Sequence, residues 1–290
     1  MNEDAFARHR SLLFTVAYEM LGSASDAEDV VQETWLRWAG VDHAEVRDRR
    51  AYLVRIVTRQ ALNRLRTLAR RREDYVGEWL PEPLLTGPDV AADVELAESV
   101  SIAMLTVLET LGPAERAVFV LRDVFEIAYD EIAEALGKSP AAVRQIAHRA
   151  REHVAARRPR MPVSTTEQQE VVDRFLGAIR HGDLQRLLDV LAPDVVAVAD
   201  GGGFVAAARQ PIEGAERVAR FLISAAARSA NLEAKPAWFN GSPGGRIELG
   251  GEVNAVMSFS VENGRITHIY AINNPHKLSR LDRVAALTRV

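Results

Sequence analysis

The spacing of apolar residues changes character once along this chain, at Ser164, and no single fold class accommodates both sides of the change. Before it, apolar positions recur at three- and four-residue intervals, the signature of helices packed on one face. Residues 4–21 offer Phe6, Leu13, Phe14, Ala17 and Met20 to a core and stop at Gly22. A capping box of Ser25 and Glu28 predicts the start of a second helix. After Ser164, itself half of a capping box with Glu167, one helix runs to about Arg180 and a short one ends near Leu191. Strand-like stretches follow at 195–200, 204–209, 232–239, 246–249, 253–261 and 265–272, with one helix at 214–228 and a last one beyond Leu278. Asn263-Gly264 is a two-residue hairpin signal. Helices followed by strands predict an α+β domain whose curved antiparallel sheet has a concave face.

The stretch from residue 47 to 73 limits the function classes. It carries Arg47, Arg49, Arg50, Arg55, Arg59, Arg64, Arg66, Arg70, Arg71 and Arg72, with Asp48 nearly the only acid before Glu73. Tyr52, Leu53, Ile56, Val57, Gln60, Ala61 and Leu65 make an apolar side, which turns the Arg-rich side outward. A basic helical face is usually just solvated, but cations at this density, so little opposed, raise the odds of phosphate binding. The formal charge of −4 conceals the patch, because net charge does not report distribution. The chain has no cysteine, which excludes disulfides, cysteine-ligated zinc and thiol catalysis. The apolar run 12–21 is broken by Thr15, Tyr18 and Glu19 and follows an acidic start, so it fits neither a signal peptide nor a membrane span. A cytoplasmic location is expected.

Residues 26–38 place Ala27, Val30, Val31, Thr34, Trp35 and Trp38 on one helical face and Glu28, Asp29, Gln32, Glu33 and Arg37 on the other. The string from Asp26 to Trp35 resembles the core-polymerase-binding segment of bacterial sigma factors of the extracytoplasmic-function (ECF) group. The resemblance implies that Asp26, Glu28, Asp29, Gln32, Glu33 and Arg37 meet polymerase, with Asp29, Gln32 and Glu33 serving contact rather than stability. Residues 51–66 resemble the sigma segment that melts and reads the −10 promoter element, which implies roles for Tyr52, Arg55, Arg59, Asn63 and Arg66. Melting needs cations for the separated strand and a surface for an unstacked base. Tyr52 suits that surface or the core equally well. Many members carry Asn where Arg59 stands, so the −10 base preference is expected to differ.

Gly112-Pro113-Ala114-Glu115 opens a helix with Pro at its first position. A second helix spans 129–136 and stops at Gly137; a third starts with Ser139 as cap and Pro140 and runs to about Arg157. In the third, Val143, Ile146, Ala147, Ala150 and Val154 form a packing stripe, and Ala142, Arg144, Gln145, His148, Arg149 and Arg151 lie off it. That is the helix-turn-helix plan, whose second helix enters the major groove. Residues 130–151 resemble the −35-reading domain of sigma factors. The implied −35 contacts are Ser139, Ala142, Arg144, Gln145, His148, Arg149, Arg151 and Arg157, with Arg144, Gln145 and Arg149 on bases and Arg151 and Arg157 on phosphates. Arg158 and Arg160 continue the patch. Ala128 replaces the capping Ser of most relatives, at a cost of roughly 1 kcal/mol.

Between residues 73 and 91, Gly77, Pro81, Pro83, Gly87 and Pro88 forbid continuous helix, yet Trp79-Leu80-Pro81-Glu82-Pro83-Leu84 is too apolar for a free tether. It resembles the linker motif of a sigma subgroup with an extra C-terminal domain. Asp200-Gly201-Gly202-Gly203 and Asn274-Pro275-His276-Lys277-Leu278 resemble that subgroup's two marker motifs, the second usually having Asp where His276 stands. The element order after Ser164 resembles the SnoaL-like cone fold, which hosts isomerases, cyclases and inert domains. Trp79, Leu80, Pro81, Asp200, Gly201, Gly202, Gly203, Asn274, Pro275 and Lys277 are expected to form a regulatory contact in which the motifs receive the linker. Asp194, Asp200 and His268 are the candidates for catalysis, and none makes an acid–base pair, so no catalytic residue, metal or cofactor is expected. His268 and Tyr270 share a strand face, either as a ligand pocket or as core.

The expected protein is multidomain: a sigma region 2 domain over 1–76, a linker over 77–100, a sigma region 4 helix-turn-helix over 101–160 and a SnoaL-like regulatory domain over 161–290. The first two domains are all-α. Such a chain directs core RNA polymerase to specific promoters, with its last domain standing in for a separate anti-sigma protein. The partners implied are core polymerase and promoter DNA, with no membrane, a monomeric free state, and room for an unknown small ligand in the last domain. Two other readings are a ligand-sensing helix-turn-helix regulator independent of polymerase and a SnoaL-like isomerase-type enzyme fused to DNA-binding helices. Residues 26–38 argue against the first, and the missing acid–base pair argues against the second.

Overall fold

A computed structural model describes residues 2–44, 46–72, 75–157, 163–229 and 231–289. In chain order the helices α1 (Asn2–Leu21), α2 (Ala24–Ala39), α3 (Arg49–Arg72), α4 (Val94–Val100), α5 (Ile102–Leu108), α6 (Pro113–Phe119), α7 (Tyr129–Leu136), α8 (Pro140–Ala155), α9 (Thr165–His181) and α10 (Leu184–Val190) come first. There follow β1 (Leu191–Asp200), β2 (Ile212–Glu213), α11 (Ala215–Ala227), β3 (Leu232–Phe239), β4 (Ser242–Leu249), β5 (Glu252–Glu262), β6 (Arg265–Ile272) and α12 (Pro275–Leu278). These elements form two compact units, one of Met1–Asp74, Met104–Arg158 and Ala286–Val290, the other of Tyr75–Ala103 and Pro159–Ala285. No described helix is long and apolar enough to cross a membrane.

In the first unit α1 buries Leu12, Leu13, Val16, Ala17, Met20 and Leu21 against α2 and α3. α2 answers with Ala27, Val30, Val31, Thr34 and Trp38, and the buried Thr34 hydroxyl donates to the Val30 carbonyl at 2.8 Å. The helix starts earlier than the Ser25–Glu28 box predicts. Gly22 ends α1 in the left-handed region (φ 66°), and Ser23 caps α2 by accepting from the Asp26 N–H at 3.2 Å, which leaves Ser25 inside the helix. Arg116 of α6 is almost wholly buried, its Nε donating to the Glu19 carbonyl at 3.0 Å and an Nη to the Glu109 carboxylate. Burial lowers its pKa to about 9, so it remains charged at neutral pH. α6 continues into a π-helical turn, Val120–Val124, and α7 and α8 then make the helix-turn-helix. Ser139 caps α8 by accepting from the Ala142 N–H at 3.2 Å, whereas Ala128 gives α7 no side-chain cap.

The second unit is built on a six-stranded sheet of order β2-β1-β6-β5-β4-β3. The pairings β1–β2, β3–β4, β4–β5 and β5–β6 are antiparallel, as expected of this sheet, but β1 and β6 run parallel. The chain leaves β1, passes through β2, α11 and β3 to β5 and returns beside it, the long connection that a parallel pair requires. Tight turns at Asn240-Gly241 and Asn263-Gly264, all four residues at positive φ, join β3 to β4 and β5 to β6. The stretch 204–209 is not a strand, because the Gly201 carbonyl accepts from the N–H groups of both Phe204 and Val205 and curls the chain into a turn. No helix follows Leu278 among the described residues.

Period-two alternation divides the apolar residues of this sheet between two covers. Phe259, Val261 and Ile269 join a core with Val171, Phe175 and Leu187 of α9 and α10 and Val218 and Leu222 of α11. On the other face Val256, Tyr270 and Ile272 pack with Leu80, Ile102, Phe239, Leu278 and Leu281. The linker is thus the second layer of the sheet.

Candidate functional site

On α2, Gln32, Glu33, Leu36 and Arg37 are exposed, Leu36 at 66%, so a polar stripe of mixed charge with an apolar centre faces solvent. All four of the acids expected here also have partners within the fold. Arg64 of α3 binds Asp26 at 2.7 Å and Asp29 at 2.5 Å, and Gln60 donates to Glu33 at 3.0 Å. Glu28 accepts from Arg10 of α1 at 2.6 Å. The notion that Asp29 and Glu33 lack any structural role is therefore corrected: they lie on the edge of α2 next to α3. Exposed pairs of this kind contribute about 0.2–1 kcal/mol.

On α3, Tyr52 is half-buried with its ring centroid 5.9 Å from that of Trp38, and the Arg55 guanidinium lies 4.8 Å over it. Arg55 pairs with Glu134 of α7. Arg59 donates from Nη2 to the Glu134 carbonyl at 2.9 Å and from Nε to the Ala135 carbonyl at 3.1 Å. Asn63 and Arg66 are exposed. The side chains of Arg70, Arg71 and Arg72 lie outside the described residues, as do Arg158 and Arg160.

On α8, the stripe Val143, Ile146, Ala147, Ala150 and Val154 is buried. Arg144, Gln145 and His148 are exposed and project from the opposite side. Arg149 lies 3.5 Å from the Glu115 carboxylate. Arg151 binds Asp123 at 2.6 Å and the Tyr129 hydroxyl at 3.2 Å, which makes it a brace between α8 and the start of α7. Arg157 is exposed, with an Nη donating to the His153 carbonyl at 3.4 Å.

The second unit assembles the linker and the two glycine- and proline-marked motifs. Asp200 at the end of β1 has no exposed surface, and its carboxylate accepts from the Tyr75 hydroxyl at 2.6 Å, the Leu80 N–H at 2.9 Å and Lys277 Nζ at 2.7 Å. Asn274 donates to the Tyr75 oxygen at 2.8 Å and caps α12 by accepting from the His276 N–H at 3.0 Å. Lys277 also donates to the Leu80 carbonyl at 2.5 Å and lies 4.0 Å over the Trp79 ring. Burial and the Asp200 carboxylate push the Tyr75 phenol far above its ordinary value. Gly202 (φ 59°) has no room for a side chain, because a Cβ there would stand 2.8 Å from Asn274 Cγ and 3.0 Å from the Tyr75 oxygen. Gly201 and Gly203 turn the chain beside it, and Pro275 opens α12. Pro81 is buried, and farther along Leu84 and Thr86 run beside the β3–β4 turn, where Asn240 accepts from the Leu84 N–H at 2.9 Å and donates to the Val100 carbonyl at 2.8 Å. His268 stacks against Tyr270 at 6.0 Å between centroids, half-buried, and burial lowers its pKa. Sequence reasoning missed Tyr75, Asn240 and Glu134, and gave Arg64 to the basic patch when it pairs with Asp26 and Asp29. An Asn-Gly pair flanked by strand patterns marks Asn240, whereas nothing local marks Tyr75, whose partners lie far away in the chain.

The family described as Sigma-70 region 2 matches residues 5–71, and that described as Sigma-70, region 4 matches residues 101–154. The chain is 37% identical to the ECF RNA polymerase sigma factor SigJ of Mycobacterium tuberculosis, over 96% of its own length and 94% of that protein. The chain belongs to the ECF RNA polymerase sigma factors. A second relative, the probable ECF sigma factor SigI of M. tuberculosis, is 32% identical over 96% of this chain and 94% of that one. The crystal structure of M. tuberculosis SigJ matches this sigma factor with a TM-score of 0.77 at 34% identity, covering 97% of this chain and 99% of the other. A sigma factor acts with core RNA polymerase on promoter DNA, so the helix-turn-helix here serves transcription initiation.

Proposed function

We propose that this sigma factor docks core polymerase through the exposed stripe of α2, reads the −10 element with α3 and the −35 element with α8, and is governed by the cover its C-terminal domain places on the linker. Function then divides over residues 1–76, 77–100, 101–160 and 161–290. The observation that carries the regulatory part is the Asp200 carboxylate, which holds Tyr75, Leu80 and Lys277 at once. Held this way the linker has a fixed course; released and fully extended, the 29 residues of Tyr75–Ala103 would reach about 100 Å. The cover thereby limits how far the two promoter-reading segments can separate, and polymerase or DNA selects the released state only by binding it more tightly. With Asp200 committed to these three donors, the domain works as a clasp without chemistry of its own, in a cytoplasmic, monomeric protein.

The docking part is tested with Gln32→Arg combined with Leu36→Asp. Both sites are exposed, so unfolding should shift by less than about 0.5 kcal/mol. Capture by core polymerase should be lost; capture at the parental level refutes the assignment of α2. The regulatory part is tested by transcription in vitro with chains ending at Leu278 and at Arg160. The first should transcribe more than the full chain and the second less, and equal output from all three removes the C-terminal domain from control.

A further inference from the structure

Arg55 and Arg59, two cations of the α3 face to which the reading above gives the −10 strand, are already occupied within the first unit. Glu134, in the last turn of α7, holds Arg55 by its carboxylate, while its own carbonyl and that of Ala135 accept from Arg59 at 2.9 and 3.1 Å. The last turn of a helix leaves carbonyls without intrahelical donors and carries the negative end of its dipole. α7 thus presents to α3 one full negative charge and two oriented oxygens, the kind of acceptors that phosphate oxygens would offer. Glu131 and Glu134 also line a cleft of about 510 Å³ together with Arg47, Tyr52, Arg55, Asp42 and Asp48. Two acids of α7 therefore share a cleft with the aromatic ring and cations that an unstacked nucleotide would use.

We propose that the C-terminal turn of α7 is an internal competitor for single-stranded nucleic acid on α3. It masks Arg55 and Arg59 in the free protein and yields them to a strand whose phosphates replace Glu134 and the two carbonyls. The helix that positions the −35 reader thereby guards the −10 reader. This proposal rests on the reading that α3 binds the separated −10 strand, and the experiment keeps the two apart.

Binding of a short fluorescein-labelled thymidine oligonucleotide to the full chain is measured by anisotropy. Arg66→Ala, an exposed α3 site outside the α7 contact, should weaken binding severalfold; no change would overturn the assignment of α3 itself. With that effect in hand, Glu134→Gln should tighten binding about two- to fivefold, the range an exposed ion pair allows. Asp130→Asn, the same charge change on α7, controls for net charge. In an Arg55→Ala background the gain from Glu134→Gln should vanish. Unchanged or weaker binding by Glu134→Gln overturns the proposal, as does an equal gain from Asp130→Asn or a gain that survives Arg55→Ala. Glu134 has an exposed side chain, so the variant is expected to fold.

Discussion

Replacing Asp200 with Asn keeps the shape of the side chain and removes its charge, which isolates the ionic part of the clasp. Oδ2 accepts from Leu80 N–H and Lys277, so the amide would keep its oxygen there and turn its NH₂ to the Tyr75 hydroxyl, which can accept. The loss therefore falls on Lys277, whose side chain is only 12% exposed. Breaking a buried ion pair by removing one partner costs about 3–5 kcal/mol. The contact of Lys277 with the Trp79 ring and its bond to the Leu80 carbonyl exist before and after, and do not reduce the difference. Residual solvation of the ammonium does reduce it, which leaves about 2–4 kcal/mol, or roughly 30- to 1,000-fold in the population of released linker. The linker contains Glu78, directly before the covered Trp79 and Leu80, so a glutamate-specific protease cutting between Glu78 and Trp79 reports its release; the Glu82–Pro83 bond resists such cleavage. Where closing outpaces cleavage, the cutting rate at Glu78 follows the open population and should rise by at least about 30-fold in Asp200→Asn. Adding Lys277→Met should cost much less in the Asn background than in the parental one. A change of under about 1 kcal/mol with no faster cleavage would refute the reasoning.

Gly202→Ala should lose about 1–3 kcal/mol in guanidinium unfolding, because the new side chain meets Asn274 and Tyr75 from a left-handed backbone; an unchanged midpoint would show that the turn tolerates it. Arg116→Met should destabilise by about 3–5 kcal/mol, since it strips the donor from the Glu109 carboxylate, and Arg116→Met with Glu109→Gln should recover part of the loss in thermal unfolding. Burial holds His268 below 6.5, with Glu262 and Asp194 pulling weakly upward. The unfolded chain therefore takes up this proton first, and stability should fall as pH drops through 6.5; His268→Gln should flatten that part of the profile, and an identical slope would remove His268 from it.

The sequence pattern was most legible where local chemistry decides. The start and stop of α7 at Tyr129 and Leu136 follow from the turn before it and Gly137 after it, and β3 and β6 follow from alternation and the turns that bound them. The capping box at Ser25 misplaced the start of α2 because Gly22 and Ser23 form a local cap two residues earlier. The stretch 204–209 looked like a strand from its composition, but three glycines before it let backbone carbonyls fold the chain first. The apolar linker announced that it would be covered, and the motif residues Asp200, Asn274 and Lys277 stand around it. Tyr75 and the parallel β1–β6 pairing stayed invisible because their partners are set by tertiary closure. The intramolecular partners of Asp29 and Glu33 stayed hidden for the same reason, since periodicity on α2 says nothing of how closely Arg64 and Gln60 approach.

The clasp closes on residues made late in synthesis. Leu80 waits for Asp200, 120 residues on, and Tyr75 waits for Asn274, 199 residues on. At about 5–20 residues per second a ribosome needs roughly 10–40 s to bring the last of these partners out. During that interval each nascent chain has made every residue of α1, α2 and α3 but lacks the groups that hold Tyr75 and cover Trp79 and Leu80. A newborn chain is in this sense briefly unclasped, with its linker in a form that the finished protein withdraws.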